Sequence, residues 1–241
     1  MTNFNDLLLF FTIYSFLGWA METIFASINE RKFINRGFLS GFFCPIYGSG
    51  AVLILWSSKL VANVFENHLT ALIISLLFSV ILVTVLEYIT GFLLEKFFNC
   101  KWWDYSDNAF NIQGYICLKY SLLWGLMTLL LQQVVHPAIA EVIFSIPLSV
   151  RGYLAVFMLL YFMADSVKSI IDTLDLRKVI LDASNISSNK YYEKIIQYKR
   201  FFYAFPQLLI LNAGIINRDI RSILNEKMDK IKVELKSRFL Q

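Results

Sequence analysis

The chain has 241 residues, of which 57% are hydrophobic and 17% charged, with a formal net charge of +4 and a mean hydropathy of +0.58. That apolar share is well above that of an ordinary soluble domain, and it excludes a water-soluble globular fold and a disordered chain. What is left is an integral membrane protein, expected to be an all-α polytopic fold of about five transmembrane helices with a cytoplasmic helical tail.

In chain order, five stretches reach the roughly 20 helical residues that a hydrocarbon core of about 30 Å requires. They lie near residues 5–28, 38–60, 70–94, 113–136 and 151–174. The first has no basic segment before it and no small-residue cleavage pattern after it, so it reads as a retained span and not as a signal peptide. The second contains Gly37, Gly41, Pro45, Gly48 and Gly50, a density suited to a bent or re-entrant entry whose backbone lines a cavity. Segment 29–37 holds Arg31, Lys32 and Arg36, and segment 95–112 holds Lys96 and Lys101, whereas 61–69 and 137–150 hold no Lys or Arg. Positive residues collect on the cytoplasmic side. Alternation over five spans therefore predicts an outer N-terminus, both basic loops in the cytoplasm, and Lys59 and Arg151 at the outer interface. An even count, with the second stretch re-entrant and the N-terminus inside, is the alternative.

The charge is unevenly divided. Residues 1–176 carry 9 Lys/Arg against 12 Asp/Glu, and residues 177–241 carry 13 against 6. This separates a transmembrane domain, 1–176, from a basic helical tail, 177–241, that belongs on the cytoplasmic side facing anionic headgroups. Within the tail, 182–190 is polar and turn-prone, and 191–200 is compatible with a helix. The apolar run 201–216 is interrupted by Pro206 and Gly214, which suits a packing or interfacial segment better than a sixth span. From Asn217 onward, Ile220, Leu224, Ile231, Leu235 and Phe239 recur at helical spacing among basic residues. That is an amphipathic helix able to pack on its own tail, on a copy of itself or on the membrane surface.

Four polar clusters then fall on one side of the membrane. The first is Trp19 and Glu22 on the first span. The second is Asn35, Arg36 and Gly37, followed by Cys44, Pro45 and Tyr47. The third is Glu87, Tyr88 and Glu95 on the third span. The fourth is Trp102, Trp103, Asp104, Tyr105 and Ser106, followed by Asn111 and Gly114. A carboxylate at membrane depth costs several kcal/mol unless it is paired or reaches water, so Glu22 and Glu87 are candidates for a functional polar site or for a structural lock between helices. Arg36 is the natural counter-charge for one of them. Trp102 and Trp103 fit either the cluster or simple interfacial anchoring. Asp165 lies three residues before Lys168, which predicts an intrahelical pair.

Cys44, Cys100 and Cys117 form no CxxC pair, and the two histidines, His68 and His136, are distant from each other, so neither a metal site nor a disulfide framework is expected. No GxxxxGK[ST] occurs, so any ATP-driven role needs a separate ATPase subunit, and HExxH and GxSxG are absent as well. No cofactor and no nucleic-acid partner are implied, and the catalytic residues, if any, are unknown.

The motifs FLGWAMETIF at 16–25, NRGFLSGFFCPIYGSGA at 35–51, LEYITGFLLEKFF at 86–98 and WWDYSDNAFNIQGYICLKYSLLWG at 102–125 together resemble a bacterial membrane-protein family described as "putative ABC-transporter type IV", or CmpB-like permease. The resemblance covers roughly the first 140 residues. It implies a multi-pass protein of the bacterial cytoplasmic membrane, surrounded by membrane lipids and acting as the permease part of a transporter, with an ATPase subunit and a second copy of the chain as expected partners. On this reading Glu22, Asn35, Arg36, Tyr47, Glu87, Tyr88, Trp102, Trp103, Asp104, Tyr105 and Asn111 form the substrate path or polar cluster. A membrane-embedded enzyme using Glu22, Glu87 and Asp104 on a lipid-linked substrate, and a scaffold or sensor acting through the tail, are the alternatives.

Overall fold

Uninterrupted apolar runs satisfy their own backbone only as helices at membrane depth, and the chain is built from them. The computed structural model of the protein describes residues 3–181 and 188–210. Helix α1 spans Phe4–Glu30 and ends where Arg31 turns left-handed, with φ 50°. Helix α2 spans Pro45–Val64 with proline in its first turn, where the missing N–H would have had no helical partner. Helix α3 spans His68–Phe98; the Asn67 side chain caps its start by accepting from the Thr70 amide, and Asn99 closes it in a left-handed conformation.

Helix α4, Leu118–Leu130, leads through one π-helical turn, Leu131–Val135, into α5, His136–Ser145. Pro137 follows that turn. Its nitrogen cannot donate to the preceding turn, and the backbone widens locally, with the His136 amide bonded to the Leu131 carbonyl. Helix α6 runs from Leu148 to Leu181, without a break at the boundary expected near residue 176. Two short helices follow, α7 at Ser188–Gln197 and α8 at Lys199–Ala204. The amphipathic helix expected from Asn217 onward lies outside the described residues.

Four stretches are long and apolar enough to cross a membrane, among the described residues: Phe4–Glu30, His68–Phe98, Leu118–Ser145 and Leu148–Leu181. Helix α2 has the length, 20 residues, but is richer in Gly and Ser. It begins at Pro45 and not near 38, because residues 37–44 form a non-helical loop. Helix α2 packs against α1 and α3, and the α1–α2 crossing is close: a Cβ on Gly48 would strike the Ser15 hydroxyl and the Phe11 carbonyl, and one on Gly18 would strike the Tyr47 side chain. Small residues at such a crossing let two backbones approach where no hydrophobic effect drives them together. The opposite surfaces are apolar and uncovered. Leu69, Ile73, Leu77, Ile81 and Val85 form an exposed stripe on α3, the pattern of a lipid-facing side.

With the helices in the order α1, α2, α3, α4–α5 and α6, loop 31–44, segment 99–117 and α8 gather at one end of the bundle. There Phe38, Phe98, Trp102, Leu176, Phe201 and Phe202 pack together. Segment 99–117 is a small folded unit in which β1 (Cys100–Lys101) pairs antiparallel with β4 (Leu209–Ile210), and β2 (Asn111–Ile112) pairs antiparallel with β3 (Ile116–Cys117). A second apolar cluster, around Phe10, Tyr14, Leu55 and Ile143, lies toward the other end.

Candidate functional site

Glu22 lies on the last third of α1, where its carboxylate meets two groups from the following loop and helix. Arg36 Nε is 3.2 Å from Oε2, and the Tyr47 hydroxyl donates to Oε1. Of the two carboxylates open to Arg36, the structure pairs it with Glu22. The placement of Arg36 follows from its neighbours. Its backbone amide donates to Thr23 Oγ1, and Asn35 is held between the Trp19 indole, at 2.7 Å, and the Ser40 carbonyl, at 3.0 Å.

Glu87, on α3, is 6% exposed. Trp124 Nε1 donates to its Oε2 at 3.2 Å, and the Tyr105 hydroxyl donates to its Oε1 at 3.3 Å. Both donors are neutral, and among the described residues no Lys or Arg forms an ion pair with Glu87. The two carboxylates are linked through aromatic contacts, since the Tyr47 and Trp124 rings meet edge to face at 5.3 Å. Arg36, Glu22, Tyr47, Trp124, Glu87 and Tyr105 therefore form one continuous chain across α1, α2, α3, α4 and segment 99–117.

Beside this chain lies a cavity of about 170 Å³ whose walls come from α1, α2, α3, α4 and the π-helical turn; Tyr47, Glu87, Trp124 and Thr128 are among its lining residues. Single π turns recur at functional sites because they displace side chains from the regular helical face. Here the turn contributes Leu131 and Val135 to the wall.

The remaining candidates shape the surroundings. Trp102, 3% exposed, is packed among Phe38, Phe98 and Phe205. Trp103 donates to the Tyr115 carbonyl, and Tyr88 donates to Gln113. Asp104 accepts from the Ser106 amide and pairs with Lys101 at 3.0 Å. Partial burial works to raise its pKa, but the hydrogen bonds from Ser106 and Lys101 outweigh it and hold the carboxyl below its ordinary value. Asn111 donates to the carbonyls of Ser106 and Asn108 and accepts from the Gly114 amide. Trp103, Asp104 and Asn111 thus fold segment 99–117, which delivers Tyr105 to Glu87.

Two residues hold the glycine-rich loop: Asp165, for which the sequence suggested an intrahelical pair with Lys168, and Arg200, which sequence reasoning did not single out. Asp165 accepts from the amides of Ser40, at 3.0 Å, and Gly41, at 2.9 Å. Lys168 pairs instead with Asp172, at 4.0 Å. Arg200 on α8 donates to the carbonyls of Gly37, Phe38 and Leu39 at 2.8–3.1 Å. The loop is clamped between α6 on one side and the start of the tail on the other, and its end is tied to α1 by the Cys44 amide, which donates to the Ser15 carbonyl.

The other end of the bundle is also polar. Arg151 Nη1 lies 2.8 Å from Asp6 Oδ1, and the Tyr14 hydroxyl is 2.7 Å from His136 Nδ1. Cys44, Cys100 and Cys117 are free and buried.

The family model described as "putative ABC-transporter type IV" matches residues 9–170, a stretch that contains every group of the chain from Arg36 to Tyr105 as well as Trp124 and Asp165. Searches of curated proteins and of solved structures returned no match. The chain belongs to that family of membrane transport components.

Proposed function

We propose that this chain is the membrane-spanning subunit of a transporter driven by a separate ATPase in a bacterial cytoplasmic membrane, with Glu22, Arg36, Tyr47, Trp124, Glu87 and Tyr105 as the polar side of the substrate path. The observation that carries the reading is the continuous chain of hydrogen bonds and ring contacts between two carboxylates beside a cavity among four helices. Ionisable groups at membrane depth are expensive and mark substrate or ion pathways. Sites of this kind form where helices are interrupted, and here α2 starts from a clamped loop and α4–α5 carries a π turn.

The basic loop 31–36 and the basic tail support placing this end in the cytoplasm and the N-terminus outside. A single set of five crossings is small for a complete path, which favours two copies of the chain working together. The ATPase would meet the protein at the cytoplasmic end, where loop 31–44, segment 99–117 and α8 gather together.

The test is affinity purification from native membranes in mild detergent, with identification of the proteins retained. An ATPase held stoichiometrically by wild type and by Glu87→Gln is the expected result. Full transport by the chain alone, without nucleotide, would overturn ATP coupling.

A further inference from the structure

Three features of the cavity beside Glu87 point to a ligand class. The first is charge. Glu22 has Arg36 as its counter-ion, while Glu87 is buried and, among the described residues, is met by the neutral donors Trp124 and Tyr105 and by no Lys or Arg. Burying an uncompensated carboxylate is costly, and a cation placed against it removes that cost. The second is an unused polar atom. Thr128, 1% exposed and lining the same cavity, has a hydroxyl with no hydrogen-bond partner among the described residues, although buried hydroxyls are normally paired. It lies one helical turn beyond Trp124, itself a donor to Glu87. The third is the open side. The well-exposed lining residues are all apolar: Leu17 and Met21 lie well inside α1, and Leu130 ends α4 where the chain continues as a helix into the π turn, so the cavity opens sideways toward the lipid.

A volume of about 170 Å³ is close to the roughly 150 Å³ of an engineered cavity that admits benzene. Resting on the transport reading above, we propose that the cavity binds a membrane-partitioning organic amine in its ammonium form, with about one ring or a short chain as its apolar body. The nitrogen sits between Glu87 and Thr128, and the rings of Tyr47 and Trp124 add cation–π attraction. The apolar body lies against Ile54, Val83 and Leu131. The ammonium has two natural sources, a free lipophilic amine or the amine headgroup of a phospholipid whose acyl chains remain in the bilayer.

The experiment uses the purified full chain in lipid nanodiscs of phosphatidylglycerol and measures binding of benzylammonium and of benzyl alcohol, its uncharged counterpart, by calorimetry. Benzylammonium should bind saturably to wild type, roughly tenfold or more weakly to Glu87→Gln, and severalfold more weakly to Thr128→Val, because a charge-assisted contact is lost in the first and a neutral one in the second. Benzyl alcohol should bind weakly and equally to wild type and Glu87→Gln. Equal affinity for the two probes, or undiminished amine binding by Glu87→Gln, overturns the proposal. Should Glu87→Gln fail to fold, Met127→Trp, which fills the cavity and leaves the carboxylate in place, must abolish benzylammonium binding; retained binding overturns the proposal equally. Repeating the titration in discs containing phosphatidylethanolamine separates the sources: competition assigns the site to the headgroup, and unchanged affinity assigns it to the free amine. No amine binding by wild type, with an ATPase still co-purifying, would sink the ligand class and leave the transport reading standing.

Discussion

The two ends of the helical bundle each hold an ion pair, but the pairs differ in what surrounds them. Asp6 and Arg151 meet at 2.8 Å with side chains only 8% and 14% exposed, and Arg151 also donates to the Ile146 carbonyl, so that end is a closed lock between α1 and the start of α6. Glu22 and Arg36 meet at 3.2 Å with side chains 28% and 30% exposed, next to a second carboxylate that has no counter-ion among the described residues. The first arrangement is built to stay shut. The second leaves one buried carboxylate beside a cavity without an ion-pair partner among the described residues, which is the arrangement the proposed binding site requires.

The largest expected effect comes from opening the closed end. Arg151→Ala should destabilise the protein by about 3–5 kcal/mol, because it leaves Asp6 buried and unpaired, whereas Arg36→Ala should cost about 1 kcal/mol or less, since its pair is partly solvated. The three buried thiols provide the readout: a thiol-reactive dye followed during heating in detergent reports unfolding directly. Equal losses for the two variants would erase the distinction between the ends.

Next in size is the loop clamp. Asp165→Ala leaves two loop amides without their carboxylate and should cost about 2–3 kcal/mol. Its specific sign is local. Cys44, at the end of the loop, should react with a water-soluble maleimide much faster than in wild type, while Cys100 and Cys117 stay protected. A uniform rise at all three thiols would mean global loosening and not release of this loop.

Smaller in stability, and the sharpest test of that buried carboxylate, is Glu87→Gln. The amide keeps an oxygen for Trp124 or Tyr105 and removes a carboxylate that has no counter-ion among the described residues, so the melting temperature should hold or rise, while transport falls at least tenfold. A variant that unfolds would show that Glu87 is a structural lock of the same kind as Asp6.

The features legible in the chain are those whose signal is local. Apolar runs of about twenty residues announce spans, and an arginine a short loop away from Glu22 announces a counter-ion. Asp165 was misread because the nearest opposite charge in sequence, Lys168, suggested an intrahelical pair. The better signal was present in the spacing: Asp165, Ser169 and Thr173 repeat every four residues inside an apolar helix, and all three are buried, forming a polar stripe that must face protein and not lipid. Trp124 was missed for a related reason. Its partner is 37 residues away, and only the rule that a buried indole N–H seeks an acceptor hints that a tryptophan inside a span is more than an apolar side chain. The clamp by Arg200 depends on the tail folding back onto loop 31–44, a tertiary contact with no counterpart in local sequence. The start of α2 at Pro45 was signalled by the proline itself, but the apolar Phe38, Leu39, Phe42 and Phe43 masked it by extending the hydrophobic run upstream.

The smallest expected effect belongs to Asp104, and it separates residues that build segment 99–117 from those that serve the cavity. Its side chain is 34% exposed, so solvent screens its pair with Lys101, and Asp104→Asn should cost less than about 1 kcal/mol near neutral pH. The sign of the pH dependence follows from the lowered pKa. A carboxyl whose pKa is depressed in the folded state contributes stability that is present above the unfolded value, about 3.9, and is lost as pH falls through the folded value. The melting temperatures of wild type and Asp104→Asn should therefore differ slightly at pH 6 and converge below pH 4. Since the residue folds the segment that carries Tyr105, and does not itself touch Glu87, binding at the cavity should change little in this variant. A large loss of binding with unchanged stability would move Asp104 into the site.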